Sequence, residues 1–333
     1  MQVQQLDPQA VDAATAAAIV ALRDDVRRHD APHEPPLTLT GWQRMMRYGW
    51  DGTPPALLWV AYRNDEPAGY AELWLPKYDN HHLAGIQAAT APAHRGRGIG
   101  TALLDELLRA ARQAGRTLAL GEAWQDSAGD AFLEARGFEW AATEEQRRLE
   151  LVDLDRTRVD AMYDGAAAAA RDYELVPLVG AAPADMVDGL VEMVASINDA
   201  PTENLHVDDF AFDAARLMAV DEAQTAMGRR MYRLLARHIP TGEWAGHTVM
   251  EVDDDQPEWG IQDDTSVVRA HRGHRLGLLL KTGMLRWLQE VEPQLERIDT
   301  WNNASNRHMI AVNDALGCVV VGRVSGRQRQ LGG

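Results

Sequence analysis

Apolar and polar positions follow one rhythm through the first half of the chain and repeat it through the second. Residues 57–62 alternate as a strand, Asn64-Asp65 reads as a turn, and 69–75 returns as the hairpin partner. A short strand at 3–6 and a helix over about 8–28 precede this hairpin. A third strand, roughly 84–90, runs into a glycine turn. Residues 101–114 then place Leu103, Leu104, Leu107 and Leu108 at helical spacing before Gly115. A strand at 117–120 and a helix at 129–136, stopped by Gly137, complete the half.

The second half predicts the same order. Strands at 231–238 and 244–252 flank the turn Thr241-Gly242, and 259–268 leads into a second glycine turn. A helix at 278–290, a strand at 298–301 and a helix at 306–316 stopped by Gly317 follow. Trp124 lies 29 residues after Arg95, and Trp301 lies 29 after Arg272. Agreement in order, spacing and turn chemistry predicts a duplicated fold. The fold class is therefore α/β (α+β), with two tandem domains, each a mixed, mostly antiparallel sheet flanked by helices. Their expected bounds are 1–152 and 173–333. The alanine run 166–170 predicts a connecting helix over 153–172, because alanine is the best helix former. The second half carries an extra segment, 198–230, that either walls a substrate cleft or packs as helix on the sheet.

The two glycine turns are His94-Arg95-Gly96-Arg97-Gly98-Ile99-Gly100 and His271-Arg272-Gly273-His274-Arg275-Leu276-Gly277. Each lies between a strand and a helix. Glycines let the backbone turn sharply there, and the unpaired N–H groups of the first helical turn point at a bound phosphate.

A chain of 333 residues can bury two cores, and 46% hydrophobic with 25% charged residues is ordinary for a globular protein. The net charge of -17 argues against nucleic acid as a partner and would favour encounter with a cationic small molecule. No stretch is apolar enough to span a bilayer, and the N-terminus does not read as a signal peptide, so a cytoplasmic location without membrane partners is expected. Cys318 is the single cysteine, which excludes an intrachain disulfide and a cysteine metal cluster. His81-His82 and Asp253-Asp254-Asp255 read as solvated loop residues, so no metal site is expected.

Arg95-Gly96-Arg97-Gly98-Ile99-Gly100 resembles the acetyl-CoA loop, Arg/Gln-x-x-Gly-x-Gly/Ala, of the GNAT (Gcn5-related) N-acetyltransferases. The strand meander before it and the helix ending in Gly137-Phe138 after it fit the same family. The second loop departs from that pattern, with Arg275 where a glycine is expected. In arrangement the whole chain is similar to the tandem GNAT proteins of actinobacteria, the mycothiol synthase-like enzymes among them. The resemblance implies acetyl-CoA as cofactor and direct transfer of acetyl, in a ternary complex, to a primary amine of a small molecule. Such a molecule would be an amino sugar, an antibiotic, a polyamine-like compound or a mycothiol precursor. The acceptor and the oligomeric state are not encoded in these motifs.

The resemblance implies cofactor contacts from Arg95, Gly96, Arg97, Gly98, Ile99, Gly100 and Thr101, with Ala88 and Thr90 on the strand before them. In the second half it implies Arg272, Gly273, His274, Arg275, Leu276 and Gly277, with Thr265 and Val267 on the strand and Asn302 and Asn306 further on. The family's last helix carries an asparagine near the pantetheine arm and a tyrosine that protonates the departing thiolate. Those positions are Asp126 and Leu133 in the first half, and Asn306 and Asn313 in the second. Neither half has the tyrosine; Asn313 offers only a hydrogen bond, and a water or another residue is the alternative acid.

A base must also deprotonate the acceptor ammonium. Asp263 and Asp264 lie on the strand before the second loop, and strand alternation lets only one of them face the cleft. Asp264 is the first candidate and Glu251 the second, with Glu72 and Glu122 as first-half equivalents. His94 and His271 are expected as caps or surface residues, and Trp124 and Trp301 as core. Cys318 falls just after the last helix, away from where an acyl relay is expected. The second half is expected to be catalytic, with the first a structural partner or a vestigial CoA binder. The alternatives are a CoA-binding regulatory or catalytically decayed protein, and a transferase of another acyl group.

Overall fold

A computed structural model of the chain describes residues 1–332. They form two compact units. Unit 1 contains β1 (Gln2–Leu6), α1 (Ala13–Asp30), α2 (Leu39–Tyr48), β2 (Leu57–Arg63), β3 (Glu66–Trp74), β4 (Leu83–Thr90), α3 (Ile99–Gln113), β5 (Leu118–Trp124), α4 (Ala128–Ala135) and the start of β6 (Glu139–Glu150). Unit 2 contains α5 (Arg156–Ala169), β7 (Tyr173–Val179), α6 (Ala184–Val194), α7 (Ala214–Ala226), β8 (Arg229–His238), β9 (Trp244–Asp253), β10 (Trp259–Val267), α8 (Leu276–Val291), β11 (Arg297–Asn303), α9 (Arg307–Leu316) and the start of β12 (Val319–Gln330).

The sheet of unit 1 runs β1-β2-β3-β4-β5-β12, with β4–β5 parallel and its other described pairs antiparallel. In unit 2 the order is β6-β11-β10-β9-β8-β7, with β10–β11 parallel and β7 to β10 antiparallel. Both predicted hairpins form. Asn64 and Asp65 take φ of 50° and 63°, the left-handed pair that a tight turn between right-twisted strands requires. Helix α3 buries Leu103 and Leu107 completely against β3 and β4. Burial of each such side chain contributes about 1.5–3 kcal/mol.

The units do not follow the boundaries expected from the sequence. Unit 1 ends its first segment at Glu144, so the second half of β6 belongs to unit 2, beside β11. Unit 1 in turn takes the chain from Gly322, where β12 pairs antiparallel with β5 from Val324 to Gln330. Leu331 is buried in the unit 1 core. Pairing between distant strands, which local composition does not encode, decides this exchange. The extra segment also divides. Residues 202–209 belong to unit 1, where the Asp208 amide donates to Asn80 Oδ1 (2.7 Å) and the His206 amide to Gln328 Oε1 (3.0 Å). Residues 214–226 form α7, packed on β8. Helices α2 and α6 lie outside the elements that the sequence predicts.

In each unit the parallel pairing lasts four residues. It ends at Ile86 opposite Gly121 and at Gln262 opposite Thr300, although β4 runs on to Thr90 and β10 to Val267. Past these points the two strands of each unit are no longer paired with each other; we term this unpaired stretch the cleft, and the glycine turn follows the end of β4 or β10.

Candidate functional site

Each loop begins as a single turn of 3-10 helix, Pro92–His94 or Arg269–His271, and then turns sharply into α3 or α8. Gly96 and Gly98 have φ of 72° and 82°; Gly273 and Arg275 have 90° and 58°. Arg275 therefore adopts the left-handed conformation that Gly98 occupies in the first loop, and the second loop keeps the turn despite its side chain. That conformation costs a non-glycine residue about 1–2 kcal/mol. The Arg275 guanidinium extends toward Gly165 of α5. No atom lies within 4 Å of where a Cβ would stand on Gly96, Gly98, Gly273 or Gly277, so space is open above both loops. The first helical turns present unpaired N–H groups there, the arrangement that accepts a pyrophosphate.

Both loop arginines are committed to holding the turn. Arg95 Nε donates to the Thr90 carbonyl (3.3 Å), and its two Nη atoms donate to Asp30 at the end of α1 (2.9 and 2.5 Å). Arg272 repeats this, with Nε to the Val267 carbonyl (3.0 Å) and Nη2 to Asp199 (2.5 Å). The acid partners, Asp30 and Asp199, carry no sequence signal because they lie 65 and 73 residues upstream. Arg97 and His274 stand exposed on the two loops.

His271 is neither a cap nor a surface residue. It is buried, with Nδ1 3.1 Å from the Tyr173 hydroxyl, and its ring lies 5.1 Å from that of His238. His274 stacks near the same tyrosine at 5.4 Å. Burial, followed by the charges of His238 and His274, holds His271 below the usual imidazole range, against the pull of Glu243.

The acids differ between the units. In unit 1 Glu72 is buried and paired with Arg23 Nη1 at 2.5 Å, which makes it a structural partner. Glu122 is exposed on β5 beyond the parallel pairing, and desolvation by the surrounding protein raises its carboxyl. In unit 2 the alternation argument fails. The β9–β10 register passes from Met250–Gln262 to Thr248–Thr265, so Asp263 and Asp264 both stand opposite Val249 in a bulge. One extra residue cancels the alternation, and both carboxylates gather with Glu251 and His247. His247 Nε2 donates to Asp264 at 2.6 Å, and Ser266 Oγ donates to the same oxygen at 3.2 Å. Asp264 is thus a tied group. Asp263 remains open to solvent on one side while protein surrounds the others. Desolvation and the neighbouring Asp264 push it up to about 6. Glu251 is buried 3.2 Å from Arg229, and burial together with Asp263 raises it well above the carboxylate range, to about 8.

Two further candidates change role. Asn313 is wholly buried and bonded at both ends of its amide, to Lys281 (2.7 Å) and Asn302 (2.6 Å), so it does not present itself to a reacting group. Asn306 caps α9 by accepting from the Met309 amide at 3.2 Å. Trp301 is 38% exposed rather than core, because its place on β11 lies past the last residue paired with β10. Trp124 packs edge-on against His33 at 4.7 Å. Thr265 exchanges a hydrogen bond with Thr248 (2.7 Å), and Ala88 is exposed on the free end of β4. The Cys318 thiol, raised by burial, lies near Lys281 and Arg147. No group of three or more metal-ligating side chains occurs among the described residues, and none of their helices is long and apolar enough to cross a membrane.

Residues 21–138 match the profile of the Acetyltransferase (GNAT) family. Over 80 residues, 24% of the chain, the sequence is 44% identical to the mycothiol acetyltransferase of Nocardia farcinica (strain IFM 10152), and the match spans a quarter of that relative's length. A tandem GNAT protein from the clavulanic acid biosynthesis pathway superposes with a TM-score of 0.82 at 26% identity, covering 100% of this chain and 99% of the other. A GCN5-related N-acetyltransferase from Sphaerobacter thermophilus shares the fold at a TM-score of 0.68 and 16% identity, covering 99% and 96%. With two phosphate-type loops, each at the end of a strand that outruns its parallel partner, the chain carries a GNAT acetyltransferase family domain at residues 21–138 and is similar over its whole length to a tandem GNAT protein.

Proposed function

We propose that unit 2 transfers an acetyl group from acetyl-CoA to the primary amine of a small molecule, with both substrates bound at once. The carrying observation is the bulge at Asp263-Asp264, which sets an accessible carboxylate of raised pKa on β10 immediately beyond its last residue paired with β11. The α6/α7 side of that sheet buries Arg233, His247 and Glu251 beside an apolar cluster of Val187, Leu190, Met193 and Leu235. The α1/α2 side of unit 1 buries an apolar cluster of Ile19, Trp42, Met46, Leu58 and Val60, and its buried acid, Glu72, is paired with Arg23.

The open space and free N–H groups of the second loop fit a CoA pyrophosphate. Bound there, acetyl-CoA would supply a thioester already activated toward amines. Asp263 takes the proton from the acceptor ammonium, which frees the nitrogen lone pair for attack. Its pKa near 6 leaves it ionised at neutral pH and still basic enough to act. The His247–Asp264 pair and Arg229 hold the surrounding charges in place. Arg272, clamped to Asp199, keeps the loop in shape without contributing its guanidinium to the phosphate.

The test is calorimetric titration of acetyl-CoA into the whole chain and its Gly98→Trp and Gly277→Trp variants, followed by turnover on a panel of amines. Turnover lost only with Gly277→Trp supports the assignment. An unmodified chain that does not bind acetyl-CoA overturns it. Turnover lost only with Gly98→Trp moves the reaction to unit 1, where Glu122 stands free in a cleft beside the fully glycine-built loop.

A further inference from the structure

We infer that Lys281, sealed beneath α9, is a positioning residue that sets the direction of an amide relay and so makes Asn302 a hydrogen-bond donor into the cleft of unit 2. The inference rests on the reading that this cleft holds acetyl-CoA, and it names a contact that would read the carbonyl oxygens of the acyl-CoA arm.

Lys281 is one of two lysines in the chain, and it lies on α8 with 3% of its surface exposed. Among the described residues its one hydrogen-bond acceptor is Asn313 Oδ1, at 2.7 Å. Asn313 Nδ2 in turn donates to Asn302 Oδ1 at 2.6 Å. An amide can face either way, but an ammonium has only protons to offer. Asn313 must therefore turn its oxygen to Lys281 and its NH2 to Asn302. Asn302 must then turn its own oxygen inward, which leaves its NH2 directed away from α9. Asn302 is half-buried on β11, beyond the last residue paired with β10, so that outward side borders the splay.

The other charges near Lys281 do not compete for this role. Arg147 is bonded to Glu145 (2.7 Å) and to Asp314, and burial keeps the Cys318 thiol neutral. Burying an ammonium against a single amide is unfavourable, and burial lowers the Lys281 pKa to about 8. A methionine of similar volume would pack there at lower cost. The lysine's distinctive property at this position is the direction it imposes on the two amides.

Asn313→Asp separates this role from packing. The carboxylate still accepts from Lys281 but has no N–H for Asn302, so the Asn302 amide reverses and presents its oxygen to the cleft. Calorimetry at pH 7 should show acetyl-CoA binding about tenfold weaker, with a melting temperature equal to or above that of the parent. In an Asn302→Ala background, which lacks the donor, Asn313→Asp should cause no further loss. Lys281→Met gives the same test without a new charge: weaker binding in the parent background and none lost in Asn302→Ala. Binding by Asn313→Asp within twofold of the parent, or full additivity in the double variants, overturns the relay alone. A parent chain that does not bind acetyl-CoA overturns the functional reading, and the relay with it.

Discussion

Replacing Asp263 by asparagine should cripple the enzyme and stabilise the protein in one step. The asparagine keeps the shape of the bulge but cannot take a proton. Loss of a positioned general base lowers the rate by about 10²–10⁴-fold. The stability effect follows from the same environment. The folded protein holds the Asp263 carboxyl at about 6, against an ordinary value of 3.8, so the ionised form opposes folding. This penalty is absent below pH 3.8, grows as the pH rises and is complete above about 6. For a fully enclosed group it would reach about 3 kcal/mol. Asp263 is open to solvent on one side, and screening reduces the figure to about 1–2 kcal/mol. The neutral amide carries no such penalty, so D263N should melt about 2–6 °C higher than the parent at pH 7.5 and match it near pH 4. In kinetics the parent should show an acid limb in kcat/KM near pH 6, and the variant should lack it. Activity within tenfold of the parent, an unmoved acid limb, or a lower melting temperature at pH 7.5 would each refute the assignment of Asp263 as base.

Arg275→Gly relieves a left-handed backbone at φ 58° and should stabilise unit 2 by about 0.5–1 kcal/mol while leaving acetyl-CoA affinity unchanged; a drop in melting temperature would show that the contact near Gly165 outweighs the strain. Glu251→Gln should melt above the parent, because a carboxyl raised to about 8 loses folding stability as pH climbs from 4.5; melting curves should coincide near pH 4.5 and separate fully above 8. Deleting residues 322–333 strips β12 from β5 and removes the ion pair between Arg327 and Asp130 (2.6 Å), so limited proteolysis followed by mass spectrometry should find cleavage first in unit 1.

The elements legible in the sequence are those whose signals are local. A glycine at a left-handed φ, an Asn-Asp turn between strands, and leucines spaced three and four apart each report a conformation within a few residues of themselves. The two loops, both hairpins and α3 are therefore legible from residue type and spacing alone. Chain order also marks the duplication, because the two halves repeat those local signals at matching intervals.

What only the tertiary structure decided depends on partners distant in sequence. Asp263 is the accessible acid and Asp264 the tied one because β10 bulges against β9, which cancels the strict alternation, and His247 claims Asp264. Asn313 leaves the cleft because Lys281, 32 residues earlier, claims its oxygen. Segments 145–150 and 322–330 change units because strands satisfy their N–H and C=O groups with whichever edge lies beside them, however far along the chain it is. Sequence by itself determined the glycine turns, both hairpins and the helices with clear apolar spacing. Pairing register and the burial of charge determined which side chains they deliver to the site.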